Sequence, residues 1–341
     1  MCHKTTAVLY KTKDCPCLAE RIMRQGSRKP TVLLTGASGF IGRNIAKAVI
    51  ARGETDLRIL VRPTTLLPES GKASIYVGDI TDGDSLNTAT AGADTIVNAA
   101  TYTGTDAVTA TQVNVDGTRN LLEAAARNGV SRFVQISTTA VYGIGPHRGA
   151  GTSLPHAPAS MASRSRASAE RLVLEAGGSV IRTGLVYGPG DEWFIPGLIR
   201  MANILGGPVG DGTSKLSVID VGQLGGLIAA LVGPRFAAEV SGPFHAAEPE
   251  PVSVARLLLH IQDKIAGPRW SASTDFEMSP TILLQGGFTS HQAALLSQDH
   301  WYESDRLWAL TGLSPTAFTI SAEAAFWYRH FAASWLREQP E

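Results

Sequence analysis

The chain has little cysteine, no net charge and no long apolar run, and each shortage closes off a class of protein. Its three cysteines, Cys2, Cys15 and Cys17, all fall in the first 17 residues, so the body of the chain is free of thiols. A Cys-Pro-Cys step lacks the usual two-residue zinc spacing and no histidine pair follows it, which argues against a metal site. A cysteine-free core suits a reducing compartment, and a cytoplasmic protein is the expectation. Thirty basic residues balance 30 acidic ones. That balance offers nothing to a polyanion, so nucleic acid is not an expected partner. The longest apolar stretch, near Leu224–Val232, falls well short of the roughly 20 residues a membrane helix needs, and no membrane association is expected. Residues 1–29 are basic, with Lys4, Lys11, Lys13, Arg21, Arg24, Arg28 and Lys29. They hold no apolar core of the kind a secretory signal carries, and read as an N-terminal extension in which Met23 offers an alternative start.

Hydrophobic residues make up 44% of the 341 positions, enough for one large α/β domain with an appendage or for two smaller domains. Short β-branched runs alternate with helical runs, the pattern of βαβ units around a parallel sheet. Strands are expected at Thr31–Thr35, Leu57–Arg62, Ser74–Gly78, Thr95–Ala99, Phe133–Ser137 and Val180–Thr183. Helices are expected at Ile41–Arg52, at Val113–Asn128 with a left-handed exit at Gly129, and at Ser165–Ala176. After Gly190 glycine and proline become denser, with helices at Val252–Ile265 and Ala322–Leu336. The expected organisation is the extension 1–29, a doubly wound dinucleotide-binding domain over 30–190, and a smaller substrate lobe over 191–341 that shares its core.

Between the first strand and first helix stand Gly36, Gly39 and Gly42, followed by Arg43. The first glycine permits the tight turn, the second lets backbone approach a pyrophosphate, and the third lets helix and strand pack closely. Around them Ser38, Phe40 and Ile41 would meet the cofactor at a helix N-terminus, whose free N–H groups and positive dipole end attract phosphate. The second strand ends in Leu60-Val-Arg-Pro63, where an acidic residue would bond the ribose 2′-hydroxyl of NAD. Arg62 stands there instead, with Arg43 as a second guanidinium. The pair suits a 2′-phosphate, so NADPH is expected over NADH, although two solvated arginines would look the same. Further cofactor contacts are expected at C-terminal strand ends. These are Asp79, facing the adenine, with Ile80; then Ala99, Ala100 and Thr101; then Ser137; and Gly184, Leu185 and Val186 against the nicotinamide.

With these segments in place, the chain resembles the extended and atypical branches of the short-chain dehydrogenase/reductase superfamily, of the NAD-dependent epimerase/dehydratase type. The resemblance rests on Thr35–Gly42, Gly78–Ile80, Asn114–Thr118, Asn120–Ala125, Ser137–Gly143 and Val186–Pro189, with similarity continuing at Ile219–Val221 and Leu310–Pro315. It implies a Rossmann-type fold, a catalytic hydroxyl at Thr138 and a Tyr–Lys pair on the helix near 165. That pair is missing, since Ala162 holds the tyrosine position and Arg166 the lysine position. Arg166 can still grip ribose hydroxyls, but a guanidinium stays protonated and is a poor acid.

Three stand-ins for the acid present themselves. Thr138 can donate one hydrogen bond to the substrate oxygen. Tyr102, His147 or His156 can act as a displaced donor. Or the substrate can supply the help itself, if a phenol beside its ketone polarises the carbonyl. The degenerate site and its flanks are similar to those of ketoreductases acting on angucyclinones, polycyclic aromatic polyketides of antibiotic biosynthesis. The resemblance therefore implies NADPH-dependent reduction of a ring ketone, with Tyr102, Tyr187, Trp193 and Phe194 offered as substrate contacts and Trp301 as a further flat side chain. Two other readings stay open: a catalytically silent NADP(H)-binding sensor, and a sugar-nucleotide epimerase or dehydratase. A monomer or a homodimer is expected, the latter pairing through the helices Val113–Asn128 and Ser165–Ala176.

Overall fold

The computed structural model describes residues 28–64, 71–236, 240–265, 270 and 279–337. The three cysteines and nearly all of the basic extension lie outside them. Strand β1 (Thr31–Thr35) is buried at every residue, as a strand covered on both faces must be. Helix α1 (Phe40–Arg52) follows the glycine turn and closes on Gly53 in the left-handed conformation. Strand β2 (Asp56–Val61) stops one residue short of Arg62, because Pro63 has no N–H with which to continue the ladder. Strands β3 (Ser74–Val77) and β4 (Thr95–Asn98) come next.

The helix expected to start at Val113 begins earlier. Asp106 caps a short α-helical turn at Ala107–Ala110, its carboxylate accepting the Thr109 N–H at 2.7 Å. A π-helical turn at Thr111–Asp116 then leads into α2 (Gly117–Arg127). Gly129 beyond it has φ +66°, the left-handed exit its sequence announced. Strand β5 (Arg132–Thr138) and the short strand β6 (His147–Ala150) flank a 3-10 turn at Thr139–Tyr142. Helix α3 (Met161–Glu175) starts four residues before the expected Ser165. Its serine-rich opening reads as loop, yet Ser160 and Ser163 form a reciprocal capping box that satisfies the first turn.

Strands β7 (Ser179–Thr183) and β8 (Leu185–Tyr187) follow, then α4 (Phe194–Leu205), β9 (Lys215–Leu216), β10 (Val218–Asp220) and α5 (Val221–Leu231). Strand β11 (Gly242–Ala246) precedes β12 (Val252–Ser253), which takes the first two residues of the helix expected at 252 and leaves α6 (Val254–Ile265). The chain ends through α7 (Ser279–Gln285), α8 (Ser290–Ser297), β13 (His300–Tyr302), α9 (Asp305–Thr311) and α10 (Ala322–Arg337).

Seven strands form one parallel sheet in the order β11-β7-β5-β4-β1-β2-β3, with the sequence reversing direction between β1 and β4. This is the doubly wound α/β arrangement, and its crevice lies at that reversal. The last strand of the sheet, β11, was not foreseen. It pairs with β7, and α5 lies along α1, so the chain recrosses the boundary expected near Gly190. A separate core gathers Phe194, Leu198 and Met201 of α4 with Leu257 and Ile261 of α6 and Tyr328 of α10. Among the described residues no helix is long and apolar enough to cross a membrane.

Candidate active site

The glycine turn explains itself sterically. Gly36 has φ +73°, and a Cβ there would stand 2.5 Å from the backbone of Ala99 and Ala100. That closeness brings the end of β4, Ala99 and Ala100, onto the turn. The Gly39 N–H donates to the Gly36 carbonyl at 3.0 Å. No side chain caps α1, which leaves its first N–H groups to a phosphate. Ser38 is exposed, Phe40 and Ile41 are half-buried, and Arg43 reaches back to the Ser38 carbonyl at 3.1 Å. Arg62 is exposed directly after β2, and Thr101 is exposed after β4.

Two expected contacts carry structural duties. One oxygen of Asp79 accepts both the N–H and the hydroxyl of Thr81 at 2.9 Å, closing a local turn. Ile80 is buried, and its side chain would meet a Cβ at Gly117 at 2.8 Å. Gly184, Leu185 and Val186 run beside β10, and a Cβ at Gly184 would meet the Ser217 carbonyl at 2.5 Å.

Thr138 is the last residue of β5, paired in register with Thr183 of β7. Its hydroxyl oxygen accepts the Ala140 N–H at 3.2 Å, a bond that uses a lone pair and not the hydroxyl proton. Ala162 lies in the first turn of α3, its carbonyl accepting the Ser165 hydroxyl at 3.1 Å. One turn on, Arg166 has its Nε enclosed without a hydrogen-bond partner. Burial pushes this guanidinium down to about 10 while Glu170 pulls it back up, so it remains charged at neutral pH. The crowded glycines, the uncapped helix and this orphaned Nε fit a nicotinamide dinucleotide.

Side-chain bonds between distant segments hold the site together. Asn114, in the π-helical turn, accepts from the Tyr102 N–H at 2.7 Å and the Thr101 hydroxyl at 3.1 Å. Its amide donates to the Tyr102 carbonyl at 2.9 Å and to Ser165 at 2.8 Å, joining the β4 loop to α3. Ser137, expected at the cofactor, is 1% exposed and turns its hydroxyl to Glu170. Arg182 grips the same carboxylate. A charged residue inside the apolar strand Ser179–Thr183 was the signal that could have revealed this pair.

Each of the displaced acids has a partner of its own. His147 meets the Tyr302 hydroxyl at 2.9 Å and packs edge-on to His300. His156 Nε2 faces Arg182 at 2.8 Å. Burial lowers both histidines, which keeps them neutral and poor as acids. Tyr102 folds against Gly104, its oxygen accepting the Asp106 N–H at 3.4 Å. Two of the expected substrate contacts are buried. Tyr187 is 1% exposed and donates to Glu248 at 2.8 Å, and Phe194 is buried in the separate core that α4 shares with α6 and α10. Strand alternation turns Tyr187 inward, and the α4 helix, capped by Asp191, does the same for Phe194. Trp193 alone stays open, at 78% exposure, beside a cleft of about 200 Å³ shared with Pro196, Arg200 and Phe288. Trp301 packs under Gly149.

A glycine turn at the switch point of a parallel sheet, with an enclosed arginine on α3, suits an enzyme built on a nicotinamide dinucleotide. The chain matches the NAD dependent epimerase/dehydratase family over residues 32–231 and belongs to it, within the extended short-chain dehydrogenase/reductases. It is 35% identical over 179 residues to the 3 beta-hydroxysteroid dehydrogenase/Delta 5→4-isomerase of Mycobacterium tuberculosis, covering 47% of this chain and 48% of that protein. It is 34% identical over 178 residues to the 4-hydroxy-2-methyl-3-oxo-4-farnesyl-3,4-dihydroquinoline-1-oxide ketoreductase of Stigmatella aurantiaca, covering 49% and 53%. The chain thus spans about half the length of these relatives. The crystal structure of the Bordetella bronchiseptica enzyme WbmH in complex with NAD+ superposes with a TM-score of 0.69 at 20% identity, covering 89% of this chain and 99% of that one, a likeness of fold.

Proposed function

We propose that this protein is an NADPH-dependent ketoreductase that reduces a ring ketone of a polycyclic aromatic polyketide, angucyclinone-like, in antibiotic biosynthesis. One observation supports the reading: Ala162 sits in the first turn of α3, at the position the family resemblance assigns to the acid, while Thr138 retains a hydroxyl and Arg166 stands at the lysine position. Loss of a general acid costs about 10²–10⁴ in rate. Positioning alone is worth roughly 7–11 kcal/mol, so reduction survives if the oxygen that receives the electron pair finds a proton. When bound by the Gly36–Gly42 turn and Arg166, NADPH would supply the hydride to the carbonyl carbon. The carbonyl oxygen is held by the Thr138 hydroxyl and takes its proton from a phenol adjacent to it on the substrate; water then reprotonates the phenolate. Removal of a proton from a sugar carbon or hydroxyl, which an epimerase or dehydratase requires, has no base at position 162, and that disfavours the epimerase reading.

Further support comes from the relatives, whose names specify a steroid alcohol and a dihydroquinoline ketone, both polycyclic. The exposed Trp193 and its cleft suit a flat ring system. Arg62 and Arg43 are exposed at the cofactor's adenosine end, which suits a 2′-phosphate. Asp79 keeps one carboxylate oxygen for the adenine, Ile80 and the β8 residues Leu185 and Val186 wall the pocket, and residues 191–341 contribute the substrate lobe. The enzyme acts in the cytoplasm as a monomer or homodimer.

NADPH consumption with hydroxyaryl ketones and with their O-methyl ethers tests the reading. Turnover of the free phenols, with the ethers at least about 10²-fold slower, is the expected result, since methylation removes the internal acid. Equal rates would end the substrate-assisted mechanism. Tight NADPH binding with no turnover of any ketone would favour the silent sensor that Ala162 also permits.

A further inference from the structure

Glu170 stands one turn after Arg166 on α3, its side chain 0% exposed. Its two oxygens serve groups from three directions. Oε1 takes the hydroxyl proton of Ser137, the residue before Thr138 on β5. Oε2 accepts from Arg182 Nε at 2.9 Å and Nη2 at 2.8 Å, anchoring β7, and His156 Nε2 lies 3.4 Å away. Arg182 continues outward, donating through Nη1 to the Tyr142 hydroxyl at 2.7 Å and the Thr152 carbonyl at 3.0 Å.

The donors settle the protonation states. A guanidinium only donates, so the Tyr142 oxygen accepts and its own proton points to His245 Nε2, 2.6 Å away. His245 must then carry its proton on Nδ1, which faces the Glu303 carbonyl at 2.9 Å. His156 Nε2 likewise accepts from Arg182. One carboxylate therefore ties β5, α3, β7 and, through Tyr142, β11 into a single set of directed bonds.

Its location relative to the reacting groups is specific. Thr138 and Arg166 belong to different elements, β5 and α3, and Glu170 bonds one element beside its reactive residue and rides the other one turn from its cation. Positions four apart on a helix share a face, so Glu170 is also the counter-charge nearest in sequence to Arg166. With a methyl group at 162, alignment of the two depends on what lies behind them. We propose that Glu170 is a positioning residue, which holds Arg166 toward the nicotinamide ribose and Thr138 toward the substrate oxygen by fixing α3 against β5. This rests on the roles given above to Arg166 and Thr138.

A thermodynamic cycle on NADPH binding tests it, read by fluorescence titration of wild type, Arg166→Met, Glu170→Gln and the double variant. Each single change should weaken NADPH about tenfold, the scale of a bond to a charged group, and the double variant should be no more than about twofold worse than Arg166→Met. Additive losses, about 100-fold together, would overturn the proposal, because Glu170 would then act on the fold and not through Arg166. Unchanged affinity in either single variant would overturn it as well. If Glu170→Gln fails to fold, Ser137→Ala removes only the link to β5. It should leave KM alone and lower kcat about tenfold, and a wild-type kcat would count against the proposal. A wild type that binds NADPH with a coupled cycle but reduces no ketone would sink the ketoreductase reading and leave Glu170 in place.

Discussion

Tyr142 and His245 meet across 103 residues of sequence in a 2.6 Å bond that only a neutral imidazole can accept. His300 is locked in a similar way, taking the Gly145 N–H at 3.1 Å on Nε2 while Nδ1 faces the Gln298 carbonyl. Burial holds His245 and His300 down to about 4. Between about 6.5 and 4 the unfolded chain binds protons on these histidines that the native one refuses, so stability falls as pH falls through that window. Glu248, pushed up to about 7 by burial beside Tyr187, acts oppositely, with stability lost as pH rises from 4.5 to about 7. Two histidines outweigh one carboxylate below 6.5. Urea midpoints measured across this range should decline toward pH 4, and His300→Gln should flatten the decline; an unaltered slope would refute the assignment.

Gly42 offers a steric test. A Cβ there would stand 2.2 Å from the Gly36 carbonyl oxygen, and neither partner is a flexible side chain. Gly42→Ala should lower NADPH affinity by about 10²-fold or more and destabilise the fold by about 1–3 kcal/mol through overpacking. Isothermal titration and thermal melts measure both effects. Near-normal binding would mean that the turn is not the phosphate cradle.

Arg62 tests the choice between the two cofactors. Arg62→Ala should weaken NADPH about 10- to 100-fold, the value of a charge-assisted bond, and change NADH less than about threefold. Equal losses for both cofactors would remove the basis for NADPH.

Thr138 and position 162 probe the missing acid. Thr138→Ala should slow reduction about tenfold, since one neutral hydrogen bond to the oxygen is lost. Ala162→Tyr should bring little gain, because Arg166 does not replace the lysine that tunes such a tyrosine. A rise of about 10² or more in kcat for Ala162→Tyr would contradict the substrate-assisted route.

Trp193 makes the substrate surface testable apart from stability. At 78% exposure its loss should move folding stability by less than about 0.5 kcal/mol. Trp193→Ala should nevertheless raise KM for an aromatic ketone about tenfold while KM for NADPH holds. An unchanged substrate KM would place the ring system elsewhere.

Much of the fold was legible because its signals are contiguous. The strand before Gly36, the helix after Gly42 and the left-handed exit at Gly129 each depend on residues within one turn of each other. The early start of α3 was hidden because Ser160 and Ser163 look like loop until their reciprocal bonds are seen. The π-helical turn was equally hidden. Its Asn114 carries part of the family resemblance, but its partners Tyr102 and Ser165 lie 12 and 51 positions away.

The sequence by itself determined the glycine turn and the absence of the acid, since both depend on which residue type occupies a local position: no Cβ at 42, no hydroxyl at 162. Only the tertiary structure decided the fates of Tyr187, Phe194, His147, His156 and Glu170. Burial and hydrogen-bond partners come from distant segments, as with His147 and Tyr302, 155 positions apart, and no periodicity encodes which of those segments will meet.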